Sequence, residues 1–117
     1  MARLRVVLLL IMSLFSSSLL ALSEFHLELK DHLFYPSSVT IPAGQKVKLI
    51  IHNLDDTPEE FDSFSLNREK VVFAQSTTHI YIGPLKPGEY EFYGRYNPNT
   101  ARGKVVVVKD QGANHAD

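Results

Sequence analysis

The chain predicts an all-β fold, a Greek-key sandwich of about seven to eight short strands, from three features of its 117 residues. Apolar side chains recur at every second position in most of the chain after residue 24. Clusters of Pro, Gly, Asn, Asp and Ser break these runs at short intervals. No segment beyond residue 24 carries a helical apolar stripe of useful length. Strands this short and this regularly spaced close into a sandwich.

In chain order, Phe25, Leu27 and Leu29 alternate with His26, Glu28 and Lys30 as the first half-buried strand. Turns follow at Pro36-Ser37-Ser38 and Pro42-Ala43-Gly44. Val47, Leu49 and Ile51 form the next strand, and Ile50 between them predicts that this one is covered on both faces. After the Asn53-Leu54-Asp55-Asp56 turn, alternation is lost from Thr57 to Lys70. Thr57-Pro58-Glu59-Glu60 matches a helix start, with a capping Thr, a first-position Pro and an early carboxylate, so a short helical turn is expected near 57–65. Ile80 and Ile82 flank Tyr81 in a further strand, and Pro84 to Gly88 supplies a turn. Tyr90 and Phe92 then alternate with Glu91 and Tyr93, and Lys104 to Val108 closes the fold after Asn97-Pro98-Asn99.

The first 23 residues read as a signal peptide. Arg3 and Arg5 make a basic start, Val6 to Leu20 an apolar run, and Ala21-Leu22-Ser23 a small-residue cleavage site. An uncleaved anchor is the alternative, although the run is short for a bilayer span of about 20 residues. The expected organisation is a domain over 24–109 and a polar, disordered tail over 110–117, in a protein exported to the periplasm. Loss of Arg3 and Arg5 takes Lys+Arg from 12 to 10 against 13 acidic residues, a net charge of about −3 that argues against nucleic acid. The chain has no Cys, and its only Met residues, Met1 and Met12, lie in the signal. No Gly-rich nucleophile turn or Ser/His/Asp arrangement points to a hydrolase.

Four blocks carry a family resemblance. They are Lys30 to Pro36 with Ile41-Pro42-Ala43-Gly44, Asn53 to Phe61, Gly83 to Tyr90, and the loop Phe92 to Gly103. Together they resemble the EfeO-type cupredoxin-like domain, and more narrowly the small periplasmic cupredoxin-like proteins that accompany bacterial ferrous-iron permeases. The narrower likeness rests on Thr57-Pro58-Glu59-Glu60-Phe61 and Leu66 to Val71. In cupredoxins the last loop reads Cys-x-x-His-Pro, then a Met before a Gly. Aligned on Pro98 and Gly103, those ligand positions fall at Gly94, Asn97 and about Ala101. A blue-copper centre needs a thiolate, so an electron carrier of that type is excluded. The iron-linked subgroup usually has Phe-His-Pro where this chain has Tyr96-Asn97-Pro98, which weakens any site built on that His.

Candidate metal ligands are therefore oxygen donors and histidines elsewhere. Glu60 leads, because the Asn53 to Phe61 block aligns with the loop that supplies the first copper-binding His; a capping role is the alternative. Glu59 and Asp62 are its neighbours. Glu69 would complete a carboxylate pair with Glu60, or else be a surface residue pairing with Arg68 or Lys70. Asp31 and His32 form a second group. His26, His52 and His79 read as solvated strand-face residues. Tyr81, Tyr90, Tyr93 and Tyr96 read as packing and corner residues, and Arg95 and Arg102 as groups able to hold a carboxylate or a partner, or equally as strand-edge charge that discourages aggregation. Such donors suit an iron or copper ion and, by favouring Fe(III), at most a ferroxidase-like activity. The leading expectation is an accessory of periplasmic iron-uptake proteins and a membrane iron permease, with a homodimer as a further possibility. The other is a metal-free protein-interaction module.

Overall fold

The computed structural model describes residues 21–109. The expected signal peptide lies almost wholly, and the tail over 110–117 entirely, outside the described residues. Nine strands form: β1 (Glu24–Lys30), β2 (Leu33–Tyr35), β3 (Ser38–Pro42), β4 (Val47–Asn53), β5 (Glu59–Ser63), β6 (Arg68–Val72), β7 (Thr77–Ile82), β8 (Gly88–Gly94) and β9 (Arg102–Val108). They make a four-stranded sheet, β2-β1-β4-β7, and a five-stranded sheet, β3-β9-β8-β5-β6. β1 runs parallel to β4 and β3 parallel to β9; every other pair is antiparallel.

Alternation builds the core as the sequence predicts. Leu27 and Leu29, Val47, Leu49 and Ile51, and Ile80 and Ile82 point inward from one sheet. Val39, Ile41, Phe61, Phe92, Val105 and Val107 meet them from the other. Phe34, Phe61 and Phe92 bridge the sheets, with the Phe34 ring edge-on to Phe92 at 5.1 Å and Phe61 stacked on Phe92 at 4.8 Å. Ile50 on the outer face of β4 is half-buried, matching a strand with two covered faces. The hydroxyl of Tyr90 donates to the Lys86 carbonyl at 2.8 Å, a tyrosine corner that fixes the turn before β8.

The expected helical turn near 57–65 is corrected: this segment is strand β5, and there is no helix among the described residues. Glu59 and Phe61 face inward while Glu60 and Asp62 face outward, so period two is present but masked by carboxylates on both sides. Ladders to β6 from Glu59↔Val72 to Ser63↔Arg68, and to β8 at Phe61↔Gly94 and Asp62↔Tyr93, override the local capping signature.

Candidate functional site

The loop between β8 and β9 folds over the inward end of β5, and Glu59 lies beneath it. Its side chain is fully buried, with the residue 2% exposed. Oε1 accepts hydrogen bonds from the Tyr96 amide at 2.7 Å and the Glu60 amide at 2.9 Å; Oε2 accepts from Asn97 Nδ2 at 2.8 Å. Gly94 and Ala101 complete the enclosure. A Cβ on Gly94 would stand 2.6 Å from Glu59 Cδ and 2.7 Å from Ala101 Cβ, closer than real contacts allow. The loop is also tied to itself: the Gly94 amide donates to the Ala101 carbonyl at 2.8 Å, and the Ala101 amide to Asn97 at 2.9 Å.

On the opposite face of β5, Glu60 and Asp62 meet Arg95. Its Nε lies 3.7 Å from Glu60 Oε2, and its second nitrogen 3.7 Å from Asp62 Oδ2. These are ion contacts without hydrogen-bond geometry. Glu69 stands across the ladder from Asp62. Burial pushes the Asp62 carboxyl up to about 6, helped by the neighbouring carboxylates of Glu60 and Glu69; Arg95 opposes the rise. Arg95 thus lies against two carboxylates, one of the roles expected of it from the sequence.

Asp31 and His32 form the β1–β2 turn, both with positive φ, 54° and 60°. Asp55 caps this turn, its carboxylate accepting from the Asp31 amide at 2.7 Å and the His32 amide at 3.0 Å. His32 Nδ1 lies 3.6 Å from the same carboxylate. The six candidate ligands therefore fall in three places: Glu59 inside, Glu60, Asp62 and Glu69 outside, and Asp31 and His32 at the turn. Among the described residues no group of three or more His, Asp or Glu side chains is gathered closely enough to hold a metal ion.

Two further features escaped the sequence reading. Asn53 Nδ2 donates to the Thr57, Val72 and Phe73 carbonyls, fastening the chain entering β5 to the end of β6. On the outer face of the four-stranded sheet, His26 Nδ1 and His52 Nε2 lie 2.9 Å apart, and His52 Nδ1 reaches Thr77 Oγ1 at 2.9 Å. The two ring planes differ by 3° and the centroids by 5.2 Å. With the nitrogens that close, such a centroid separation puts the imidazoles edge to edge in one plane, not face to face. Solvated strand-face histidines were expected here, but their spacing along separate strands could not reveal the pairing.

A family model described as "Cupredoxin-like domain" matches residues 4–107. The chain belongs to the cupredoxin-like domain family. It is 46% identical over 84 residues to an uncharacterized protein of Rickettsia prowazekii (strain Madrid E), covering 72% of this chain and 67% of that one. Among solved structures it is similar to the metal-binding domain of the Cu(I)-exporting P-type ATPase CopA of Streptococcus pneumoniae, with TM-score 0.68 at 14% identity over 80% of this chain and 93% of that one. Amicyanin from Paracoccus versutus gives 0.59 at 19% identity over 76% and 85%. Auracyanin A, a "blue" copper protein from Chloroflexus aurantiacus, gives 0.65 at 12% identity over 75% and 100%. At these identities the structural likeness establishes the fold.

Copper of the cupredoxin type does not fit this site. The ligand positions of the last loop hold Gly94, Asn97 and Ala101, and the residue reaching them is Glu59 at the start of β5. Thiolate, imidazole and thioether are all missing from the four. The one ionisable donor has both oxygens occupied by N–H groups, and its carboxylate fills the space beside Gly94.

Proposed function

We propose that this chain is an exported cupredoxin-like module that acts by binding a partner protein, with a buried carboxylate where relatives hold a metal. The observation that carries the reading is the triply bonded Glu59 carboxylate beneath the β8–β9 loop. Buried carboxylates are stable when their acceptor capacity is met by N–H donors, as it is here. The loop is thereby organised from within by the chain's own atoms. Calorimetric titration of untagged protein with Cu(II), Fe(II) and Zn(II), backed by elemental analysis, tests this. No stoichiometric binding at the loop is expected; one equivalent of copper that disappears in Glu59→Ala would overturn the reading.

A second reading is favoured by the outer face of β5. There Arg95 compensates Glu60 and Asp62 incompletely, and Glu69 stands across the ladder from Asp62, so a cation could draw on oxygens that are not yet gathered around one point. Oxygen donors of this kind suit iron as cargo. The protein would then be a periplasmic accessory delivering iron to a membrane permease, as its likeness to the iron-linked subgroup implies. Iron affinity unchanged in Glu60→Ala and Glu69→Ala would remove this reading.

A further inference from the structure

We propose that the cavity walled by Phe64, Tyr93 and the Asp62–Glu69 pair is a docking site for a basic side chain, arginine or lysine, presented by a partner protein. The inference rests on reading the domain as a partner-binding module and names the chemistry of one contact.

Asp62 sits on the outer face of the five-stranded sheet, yet it is only 4% exposed. Its Oδ1 and the Oε2 of Glu60 are buried and accept no hydrogen bond, although the Arg95 guanidinium lies 3.7 Å from Glu60 Oε2. The groups facing Asp62 are Glu60 on its own strand, Glu69 on β6, Tyr93 on β8, and Arg95 just beyond β8. Arg102 on β9 lies behind Tyr93, 5.8 Å from its ring. Glu60 and Asp62 thus share the guanidinium of the exposed Arg95, which approaches neither nearer than 3.7 Å. Leaving a buried carboxylate so poorly compensated destabilises the free domain, whereas an incoming cation would complete it.

The cavity beside Asp62 has a volume of about 660 Å³. Arg68 lines it too, but that guanidinium is committed to the carbonyls of Tyr81, Leu66 and Asn67 at 3.0, 3.3 and 2.9 Å. Those carbonyls are neutral, so Arg68 keeps its charge, and Asp62 and Glu69 together outweigh it to leave the lining negative. At its rim Phe64 is 99% exposed. The turn that displays it is well braced: Ser63 Oγ donates to the Glu91 carbonyl at 2.6 Å and accepts from the Leu66 amide at 3.2 Å, while the Asn67 amide closes onto the Phe64 carbonyl at 3.0 Å. An aromatic ring held rigidly in water contributes nothing to folding by burial and is suited to a partner. A guanidinium or ammonium seated between Asp62 and Glu69 would lay its aliphatic stem along Phe64 and Tyr93. Arginine matches the paired carboxylates best, because its planar fork is bidentate.

The probe is an acetylated, amidated Arg-Leu dipeptide, compared with its Gln-Leu counterpart, titrated into the ¹⁵N-labelled protein. At pH 7.5 the Arg peptide is expected to shift the amides of Asp62, Phe64 and Glu69 saturably, and the Gln peptide is not. Asp62→Asn should abolish the shifts. Glu69→Gln, on the exposed rim, should weaken binding severalfold with the spectrum otherwise unchanged, which guards against a misfolded Asp62 variant. Equal shifts from both peptides, or binding indifferent to Glu69→Gln, would overturn the site. So would Mn(II) alone broadening these amides while the Arg peptide leaves them in place, which would assign the carboxylates to a metal. Loss of this contact leaves the copper titration at Glu59 unaffected, so the two readings fail separately.

Discussion

Glu59 and Asp62 lie three residues apart on one strand, both almost fully buried, and their surroundings treat them in opposite ways. Glu59 has a donor for each acceptor direction it uses: two backbone amides and an Asn side chain. Truncation to Ala leaves those donors facing a void and should cost roughly 3–5 kcal/mol in urea unfolding. Glu59→Gln keeps the shape but turns one acceptor into a donor that meets another donor, at a cost of about 1–3 kcal/mol. Asp62 has a folded-state value of about 6 against an ordinary 3.8. Its contribution to stability is complete below 3.8 and is lost as pH rises through about 6, because the folded state holds the proton more tightly. Asp62→Asn should therefore raise the melting temperature at pH 7.5 and leave it nearly unchanged at pH 3.5. The gap between the two values bounds the gain at about 3 kcal/mol. A melting difference that is constant across that pH range would contradict this account.

At the scale of elements, β5 and the β8–β9 loop work as a pair, because the ladder pairs Phe61 with Gly94 and places Glu59 next to it. Gly94→Ala should cost about 1–3 kcal/mol through overpacking against the Glu59 carboxylate and Ala101. In a Glu59→Ala background part of that cost should return, since one of the two obstructions is gone; strict additivity of the two changes would contradict the pairing. The same element marks how far the sequence could be read. Alternating apolar residues on β1, β4, β7 and β8 identify those strands directly, as Leu27, Leu49, Ile80 and Phe92 all turn inward, and the valine run from Val105 to Val108 marks β9. β5 hides because an inward Glu59 breaks its apolar face, and Thr57-Pro58 before it imitates a helix cap. The absence of copper ligands at Gly94, Asn97 and Ala101 was legible through the resemblance of the last loop to that of cupredoxins, aligned on Pro98 and Gly103. That Glu59 rather than Glu60 reaches the loop was not, because the phase of a five-residue strand with carboxylates at consecutive positions cannot be set without its partners.

Across the whole molecule, two kinds of contact hold the sandwich, and they should fail differently. The Phe34, Phe61 and Phe92 cluster joins both sheets, so it stabilises every element at once. Glu59 joins one strand to one loop. Hydrogen exchange under native conditions separates the two, because local openings expose only the amides they release, whereas global unfolding exposes all. In Glu59→Ala the Tyr96 and Ala101 amides should lose protection more than the slowest core amides, such as those of Val105 and Leu49. In Phe61→Leu, which removes ring contacts at the centre, the slowest amides of both sheets should accelerate together, by the factor that a loss of about 1–2 kcal/mol implies. If Glu59→Ala instead accelerated Val105 and Leu49 as much as Tyr96, the buried carboxylate would be part of the global folding unit. The β8–β9 loop would then be a structural keystone of the fold, with no independent freedom left for a partner or a ligand to act upon.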